Sequence, residues 1–243
     1  MTGAPIPDLT HRRGDEAAHG AAAQGMFQRI APTYDVLNRL LSAGTDERWR
    51  ARVIREIEGA PKGALLDLCA GTLDLSARAS RARPGERVVA VDFSPAMLEA
   101  GRRKAPLAEV VVADAMSLPF ADATFSVVLC GFGMRNLADL RRGLREVRRL
   151  LRPGGVFVTL ELFRPSRPVT RAFHAAYARL VLPTLGGLVS GDRGAYLYLA
   201  RSMEGFLSRL DYESLLLDEG FARVRGYDLT LGVASIVRAE VWP

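Results

Sequence analysis

The sequence predicts an α/β protein, with a doubly wound, mostly parallel seven-stranded sheet, a C-terminal antiparallel hairpin and a helical insertion before that hairpin. Two observations support this expectation. Apolar runs of strand length alternate with segments of helical spacing, and two of these runs end in an acidic residue, Asp67 and Asp92. Strand-plus-helix units in series form parallel sheets, because parallel neighbours need a crossover connection. The last two apolar runs lack a helix between them, which indicates the closing hairpin.

The elements follow the chain in order. Residues 1–24 are rich in Ala, Gly, Pro and polar residues without periodicity, so we expect a disordered tail before a single domain over 25–243. Helical spacing follows in two pieces over 26–57, with Thr45 or Asp46 as the cap of the second piece. Strands are then predicted at 64–68, 87–92, 109–113, 125–130, 156–160, 221–229 and 233–241.

Helices are predicted between these strands. Ser94 and Pro95 have the residue types of an N-cap and a first helical position. After the fourth strand, one helical face carries Leu137, Leu140, Leu144, Val147 and Leu151, and Pro153-Gly154-Gly155 is expected to end that helix. Residues 163–210 form a mainly helical insertion rich in apolar side chains, and a further helix spans 212–219.

Composition limits the classes of function. The chain has 243 residues, of which 49% are hydrophobic, enough for one α/β domain with a sizeable core. Its two cysteines, Cys69 and Cys130, fit a reducing cytoplasm and small packing roles. The formal charge of +6 is compatible with an anionic lipid surface, and equally with an arginine-rich genome composition. With no secretory signal and no membrane-spanning run, we expect a cytoplasmic protein, soluble or peripheral.

The turn after the first strand predicts a nucleoside site. Small residues, Ala70-Gly71-Thr72, let the backbone approach a ligand, and Asp92 at the end of the second strand can accept hydrogen bonds from ribose hydroxyls. The dinucleotide fingerprint G-x-G-x-x-G is absent. The segment resembles motif I of class I S-adenosylmethionine (SAM) methyltransferases, which implies a Rossmann-like fold and SAM as the cofactor. The predicted cofactor residues are Asp67, Gly71, Thr72, Asp92, Phe93, Asp114, Ala115 and Gly131.

Each of these cofactor residues has a place in the expected geometry. Gly71 and Thr72 would face the sulfonium end, Asp92 the ribose, and Asp114 with Ala115 the adenine edge. The alternative role for Asp92 and Asp114 is turn formation at a strand end.

Further motifs point to one methyltransferase family. Gly133-Met134-Arg135-Asn136 follows the fourth strand, Ala31-Pro32-Thr33-Tyr34-Asp35 lies near the start, and specific blocks lie at 182–192 and 195–199. Over about residues 27–231 the chain resembles the ubiquinone/menaquinone biosynthesis C-methyltransferase family. This resemblance implies methylation of a ring carbon of a prenylated hydroquinone, first of all demethylmenaquinol to menaquinol. The ubiquinone-pathway ring is the second reading and another phenolic metabolite the third, while a weakly active SAM-binding protein is the rival from another class.

The resemblance also assigns the substrate side. Tyr34, Arg135 and Asn136 stand where the family has its substrate-side polar groups, and we expect Arg135 to stabilise a phenolate, directly or through a water. The alternatives are packing against the sheet for Tyr34, a surface ion pair for Arg135 and an N-cap of the following helix for Asn136.

Partner expectations come from the insertion and from the remaining residues. Its apolar content fits a prenyl channel, and its arginines, Arg164, Arg167, Arg171 and Arg179, fit anionic headgroups at the inner membrane surface. The alternative is a helical layer that covers the sheet edge. We expect no nucleic-acid partner and no metal, because the three histidines lack ligand spacing. A homodimer is compatible with the sequence.

The chain departs from the family at two places. Leu73 stands where a second glycine is usual in motif I, and we expect the turn to have adapted so that Leu73 has an ordinary φ. The alternatives are a strained positive φ or a pocket that leucine has closed. The tail Val233-Ala234-Ser235-Ile236-Val237 lacks the family's usual histidine.

Overall fold

The computed structural model describes residues 16–165, 170–171 and 193–242. Within them seven strands form one sheet in the order β3-β2-β1-β4-β5-β7-β6. The strands are β1 Leu65–Leu68, β2 Val88–Asp92, β3 Glu109–Val112, β4 Phe125–Gly131, β5 Leu151–Glu161, β6 Ala222–Leu229 and β7 Ala234–Glu240. All neighbours pair in parallel up to β5, and β7 runs antiparallel to both β5 and β6. The predicted fold class is confirmed.

Helices cover both faces of this sheet. They are α1 Glu16–Ile30, α2 Tyr34–Leu41, α3 Thr45–Glu56, α4 Asp74–Ala82, α5 Pro95–Gly101, α6 Leu140–Leu150, α7 Arg193–Gly205 and α8 Arg209–Asp218. Successive strand residues point to opposite faces, so Leu66 and Leu68 pack with α6 and α8, while Leu65 packs with α3, α4 and α5. Both faces are buried, which explains why these strands are apolar runs and do not alternate with polar residues.

The N-terminal helices begin earlier than the sequence predicted. Helix α1 starts at Glu16, so residues 16–24 are helical and the expectation of disorder is wrong for them. Residues 1–15 lie outside the described residues. The helical region up to Glu56 also has an extra break, a 3₁₀ turn at Ala31–Thr33. The N-cap position of α3 is Gly44 in the left-handed region (φ 73°), and neither Thr45 nor Asp46 caps the helix.

The segment around α6 differs in two details. Asp139 caps this helix by accepting a hydrogen bond from the Arg142 backbone N–H (2.9 Å), so Asn136 is not its N-cap. The helix ends at Leu150, before the Pro-Gly-Gly sequence, and Leu151 already belongs to β5. Strand β5 therefore contains the glycines that were expected to lie before it, with a register shift against β4. Ser94, by contrast, caps α5 as expected.

A third group of buried residues lies beyond the carboxyl ends of the strands. Met26 and Ile30 of α1, Leu37 of α2, and Tyr198 and Met203 of α7 pack together there. Helix α7 belongs to the predicted insertion, whereas the block 182–192 lies outside the described residues. This cluster holds α1, α2 and α7 over the edge of the sheet where ligands bind in open α/β folds.

Candidate active site

A first cavity of about 410 Å³ lies at the carboxyl ends of β1, β2 and β4. Six of the predicted cofactor residues line it: Gly71, Asp92, Phe93, Asp114, Ala115 and Gly131. From β1 the chain builds the sheet toward one edge through β2 and β3, and it then returns to the other side of β1 with β4. The turns after β1, β2 and β4 therefore lie side by side at this switch point, where ligands bind in open α/β sheets. The cavity is large enough for a nucleoside with an amino-acid tail.

The carboxylate of Asp92 organises the floor of this cavity. Its Oδ2 accepts a hydrogen bond from the Gly71 N–H (2.9 Å), and its Oδ1 accepts one from the Ser94 N–H (2.8 Å). Gly71 has φ 52°, a conformation that glycine adopts without strain. A carboxylate has about four acceptor positions, so these backbone contacts leave acceptor capacity for a ligand hydroxyl. Burial raises the pKa of Asp92, while these backbone hydrogen bonds oppose that rise.

Two predicted cofactor residues do not line the cavity. Asp67 is 1% exposed, and its Oδ2 accepts hydrogen bonds from the backbone N–H (2.8 Å) and the hydroxyl (2.6 Å) of Ser76. It therefore ties β1 to α4. Thr72 is also buried, and its hydroxyl donates to Asp35 Oδ1 (2.5 Å), which links motif I to α2. Burial raises the pKa of Asp67 to about 7.

Leu73 has φ 64° and ψ 24°, so the expectation of an ordinary φ is wrong. The leucine occupies the left-handed conformation that glycine would adopt here more easily. Its side chain is fully buried in the core on the α3–α4 face and does not line the first cavity. The pocket is therefore not closed by Leu73. The strain of the turn is offset by burial of the side chain, a compensation that the motif alone does not reveal.

The first cavity has walls that sequence reasoning missed. Gln24 and Phe27 of α1 line it, and Gln24 Nε2 donates to the Phe93 carbonyl (2.5 Å). The Phe27 ring meets the Phe93 ring edge to face at 6.0 Å. Cys69 and Met97 are further lining residues that were not predicted. No signal in a single sequence marks Gln24, because the segment before residue 25 has no helical periodicity.

Asp114 and Ala115 lie at the far side of the same cavity. The Asp114 Oδ1 accepts a hydrogen bond from the Met116 N–H (2.9 Å), so the residue forms the expected strand-end turn. Asp114 also lines the cavity, so the same residue forms the strand-end turn and borders the candidate cofactor site. With the Asp92 carboxylate, the Gly71 turn and the apolar walls, the residues present fit a SAM molecule.

A second cavity, of about 360 Å³, lies beside the first and is mostly apolar. Tyr34 and Phe132 line both cavities. Of the other predicted catalytic residues, Asn136 lines the first cavity and Arg135 the second. The structure therefore brings the three predicted substrate-side residues to the junction of the two cavities. Trp49, Arg50, Leu162, Leu199 and Met203 are among the remaining walls of the second cavity.

Arg135 forms a buried ion pair. Its Nη1 contacts Glu161 Oε1 and donates to the Phe132 carbonyl (2.8 Å), and the two side chains are 7% and 0% exposed. The expected alternative was a surface ion pair, and the pair is instead in the interior. Burial lowers the pKa of the Arg135 guanidinium, but the charge of Glu161, the hydrogen bond to it and the nearby Tyr34 and Tyr198 together outweigh burial and leave the pKa above its ordinary value. Its Nε is buried and has no hydrogen-bond partner among the residues that the structure describes.

A chain of hydrogen bonds orients Asn136. The Tyr198 hydroxyl donates to Asn136 Oδ1 (2.8 Å), and Asn136 Nδ2 donates to the Phe132 carbonyl (3.2 Å). That carbonyl also accepts from Arg135, so one backbone oxygen holds two of the predicted catalytic side chains. Burial raises the pKa of Tyr198 to about 12. Burial also raises the pKa of Tyr34, so both phenols are neutral donors near pH 7.

Phe132 is held from the other side by Arg50. The guanidinium carbon lies 5.6 Å from the centre of the ring, within cation–π range. Arg50 is itself buried, pairs with Asp46, and lies 3.5 Å from Asp74. Phe132 has φ 62°, a strained conformation for an aromatic residue. Gly133 must follow it, since a Cβ at that position would lie 2.4 Å from the Cβ of Cys69.

Solved structures resemble the whole domain. A SAM-dependent methyltransferase from Thermotoga maritima aligns with a TM-score of 0.64 at 16% identity, covering 89% of this chain and 98% of that one. The [4+2]-cyclase SpnF aligns with a TM-score of 0.67 at 14% identity, covering 91% and 95%. At these identities the likeness establishes the fold alone. The sheet order, with a cavity at the carboxyl ends of β1, β2 and β4, is that of a class I SAM-dependent methyltransferase.

Sequence relatives are much closer. The model of the ubiE/COQ5 methyltransferase family matches residues 15–240, and the chain belongs to this family. A demethylmenaquinone methyltransferase from Thermus thermophilus is 45% identical, over 87% of this chain and 97% of its own. A ubiquinone/menaquinone biosynthesis C-methyltransferase from Syntrophotalea carbinolica is 40% identical, over 89% and 93%. One from Deinococcus radiodurans, a demethylmenaquinone methyltransferase, is 39% identical, over 92% and 94%. The chain is therefore a SAM-dependent methyltransferase.

Proposed function

We propose that this protein transfers a methyl group from SAM to a ring carbon of a prenylated hydroquinone, converting demethylmenaquinol to menaquinol. The observation that carries the proposal is the second cavity. It is apolar enough for a quinol ring, contains the buried guanidinium of Arg135, and meets the first cavity at Tyr34 and Phe132. The printed names of the relatives, which describe quinone-pathway methyltransferases, support the same reaction.

The first cavity would hold SAM, which supplies an electrophilic methyl group on its sulfonium. Asp92 would accept hydrogen bonds from the ribose hydroxyls, and the Gly71 turn would lie against the methionine end. Asp114 and Ala115 would border the adenine. Asp67 and Thr72 would not contact SAM. Their hydrogen bonds to Ser76 and Asp35 would stabilise the conformation of the Gly71 turn.

The second cavity would bind the quinol ring and favour loss of one hydroxyl proton. A neutral ring carbon is a poor nucleophile, whereas a phenolate places charge on the carbon next to it. That carbon would take the methyl group as the methyl–sulfur bond breaks and S-adenosylhomocysteine leaves. The hydrogen on the methylated carbon would then be lost as a proton, while the ring oxygen is protonated again to restore the hydroquinone. The Arg135 guanidinium stays charged and can stabilise that phenolate without accepting the proton, so a water is the proton acceptor in this scheme. Tyr34 would donate a hydrogen bond to a ring oxygen, and Asn136, on the first cavity's side of the junction, would donate to a ring oxygen that reaches the junction.

The junction of the cavities defines the path of the methyl group. Because Tyr34 and Phe132 line both spaces, sulfur, methyl and ring carbon would align between their side chains. Arg50 keeps the Phe132 ring in place, while Arg135 and Asn136 hold its carbonyl. We infer that this aromatic pair excludes water from the transferring methyl group.

The alternatives differ in the substrate or in turnover. The ubiquinone-pathway ring would use the same cavity, and a smaller phenolic metabolite would leave part of it empty. A weakly active SAM-binding protein would follow if Leu73 closed the cofactor pocket, but the Leu73 side chain packs in the core and does not line the first cavity. The cytoplasmic location with peripheral membrane contact also belongs to this proposal. Among the residues that the structure describes, no helix is both long and apolar enough to span a bilayer.

The test is a methylation assay with the purified full chain. Demethylmenaquinol, the demethylated ubiquinone-pathway quinol and a simple naphthol are each incubated with SAM, and products are analysed by mass spectrometry. We expect ring methylation of the first substrate at the highest kcat/KM. Asp92→Asn should weaken S-adenosylhomocysteine binding at least about tenfold in calorimetry, because a charged acceptor is lost. Binding of the cofactor product without turnover of any quinol would favour the weakly active alternative.

A further inference from the structure

The second cavity reaches the protein surface next to an unusual turn. Ala43, between α2 and α3, lines the cavity and is exposed, and Thr230 and Val233 of the β6–β7 connection line it from the other side. We propose that the surface beside this opening docks onto an anionic phospholipid bilayer. This bilayer-docking surface consists of Leu231 and the exposed arginines of α3. The inference rests on the proposed function, because a prenylated quinol is dissolved in the bilayer.

Leu231 is the apolar part of the surface. Its side chain is 83% exposed at the tip of the β6–β7 connection, with φ 57°, and the preceding Thr230 has φ 47°. Two side-chain hydrogen bonds hold this strained turn: Trp49 Nε1 donates to Thr230 Oγ1 (2.8 Å), and Thr170 Oγ1 donates to the Leu231 carbonyl (2.8 Å). An exposed leucine adds nothing to folding, so a strained, anchored turn that presents one indicates a role outside the core.

The basic part of the surface is on α3. Arg48, Arg52 and Arg55 are spaced as i, i+4 and i+7, so they share one face of the helix, and all three are exposed. None of them has a hydrogen-bond or ion-pair partner among the described residues. The intervening Trp49 reaches Thr230, so the row of arginines begins beside the Leu231 turn. Arg225 of β6, by contrast, is paired with Glu56 at 3.2 Å.

Charge and apolar exposure together determine the partner. A row of arginines alone is an ordinary solvated face, and one exposed leucine alone is an ordinary loop. Unpaired cations next to an apolar tip are the pattern of interfacial docking, in which arginines contact lipid phosphates and the apolar residue enters the acyl boundary. Docked in this way, the second cavity would open toward the lipid, and the quinol head group could enter without crossing water.

The experiment measures vesicle binding by flotation of the full chain. Vesicles of phosphatidylcholine alone are compared with vesicles that contain phosphatidylglycerol. We expect binding only to the anionic vesicles, lowered about tenfold by Leu231→Ser, because one inserted leucine side chain is lost. The matched control is Leu107→Ser, since Leu107 is 88% exposed but lies before β3, at the opposite edge of the sheet. This control should bind like the wild type.

The charge component has its own matched pair. Arg48→Ala with Arg52→Ala should lower binding to anionic vesicles by about tenfold or more, since each basic residue adds to attraction at the surface. Arg102→Ala with Arg103→Ala removes the same charge from another exposed region and should have little effect. Equal losses in both double variants, or in both leucine variants, would overturn the docking surface, as would wild-type protein that ignores anionic vesicles at low salt.

Turnover separates this inference from the proposed function. With a water-soluble, short-chain quinol, Leu231→Ser should retain wild-type kcat, because the turn does not touch the proposed reacting atoms. With the quinol embedded in vesicles, its rate should fall in step with binding. Intact vesicle binding without quinol methylation would reject the proposed function alone. Quinol methylation that is equal for Leu231→Ser and wild type on vesicles would reject the docking surface alone.

Discussion

The two cavities of this molecule are built from different materials. The first is bounded by turns that follow β1, β2 and β4, and its central contact is a carboxylate bound to backbone N–H groups. The second is bounded by side chains from α2, α3, α7 and the β6–β7 connection, with ion pairs buried in its wall. A cavity whose central contacts come from backbone groups keeps its geometry when side chains that point away from it are substituted. A cavity made by side chains depends on each of them.

The largest effect is expected in the second cavity. Arg135→Met should lower the free energy of unfolding by about 3–5 kcal/mol, because it leaves Glu161 charged and buried without a partner. Urea denaturation measures this loss. The control is Arg87→Met, which breaks an exposed pair with Glu109 and should change stability by less than about 1 kcal/mol. Similar losses in both variants would remove the contrast between the cavities.

The double variant Arg135→Met with Glu161→Leu separates structure from catalysis. Replacing both charges with apolar groups should recover most of the stability, because no unpaired charge remains. Turnover should remain low, since no cation is left to stabilise the phenolate. Recovery of both properties would show that Arg135 is structural and has no part in the reaction.

An intermediate effect, dependent on pH, is expected from Asp67 beneath the first cavity. Its pKa is about 7 in the folded protein, above the ordinary unfolded value, so the folded state binds the proton more tightly. The stability it contributes is therefore complete at low pH and is lost as pH rises toward 7. Asp67→Asn should remove this dependence, and its stability relative to wild type should improve by about 2–3 kcal/mol between pH 5 and pH 8.

Denaturation at both pH values tests the Asp67 prediction. Asparagine can still accept from Ser76, so the comparison changes charge and keeps the acceptor. A constant difference between variant and wild type at the two pH values would contradict the raised pKa. Affinity for S-adenosylhomocysteine should change less than in Asp92→Asn, because Asp67 does not line the cavity.

The smallest net effect is expected for Leu73→Gly. Glycine would relieve about 1–2 kcal/mol of left-handed strain, but it would also remove a fully buried leucine, a loss of about 3–5 kcal/mol. The net change is a destabilisation of about 2 kcal/mol. Cofactor-product affinity should stay within about threefold of wild type, because the backbone turn persists. A stabilised variant would mean that strain outweighs packing at this position.

The first cavity could be predicted from the sequence, and the second largely could not. Strand ends follow from apolar runs, so the positions of Gly71, Asp92 and Asp114 at one edge of the sheet follow from local patterns. Asp67 and Thr72 have equally suitable positions in the motif, yet their side chains turn inward to Ser76 and Asp35. The direction in which a side chain points at a tight turn depends on backbone angles, and residue types do not specify those angles.

The walls of the second cavity come from distant parts of the chain. Trp49, Arg50, Leu199 and Thr230 meet only because α3, α7 and the β6–β7 connection converge. The family resemblance assigned Tyr34, Arg135 and Asn136, and no spacing rule could have added Arg50 or Phe132. At Leu73, local preference led to a wrong expectation. The turn has a left-handed backbone angle, because tertiary packing stabilises the leucine in a conformation that leucine by itself disfavours.

The position of β7 has a consequence for synthesis on the ribosome. This strand follows β6 in the chain but lies between β5 and β6, so β6 can join the sheet only after β7 is available. Near the N-terminal end of β7, Ser235 pairs with Glu161 of β5, and Glu161 forms the ion pair with Arg135. A nascent chain could therefore assemble β1 to β5 early, while the second cavity would form only once residues near 240 have emerged from the exit tunnel.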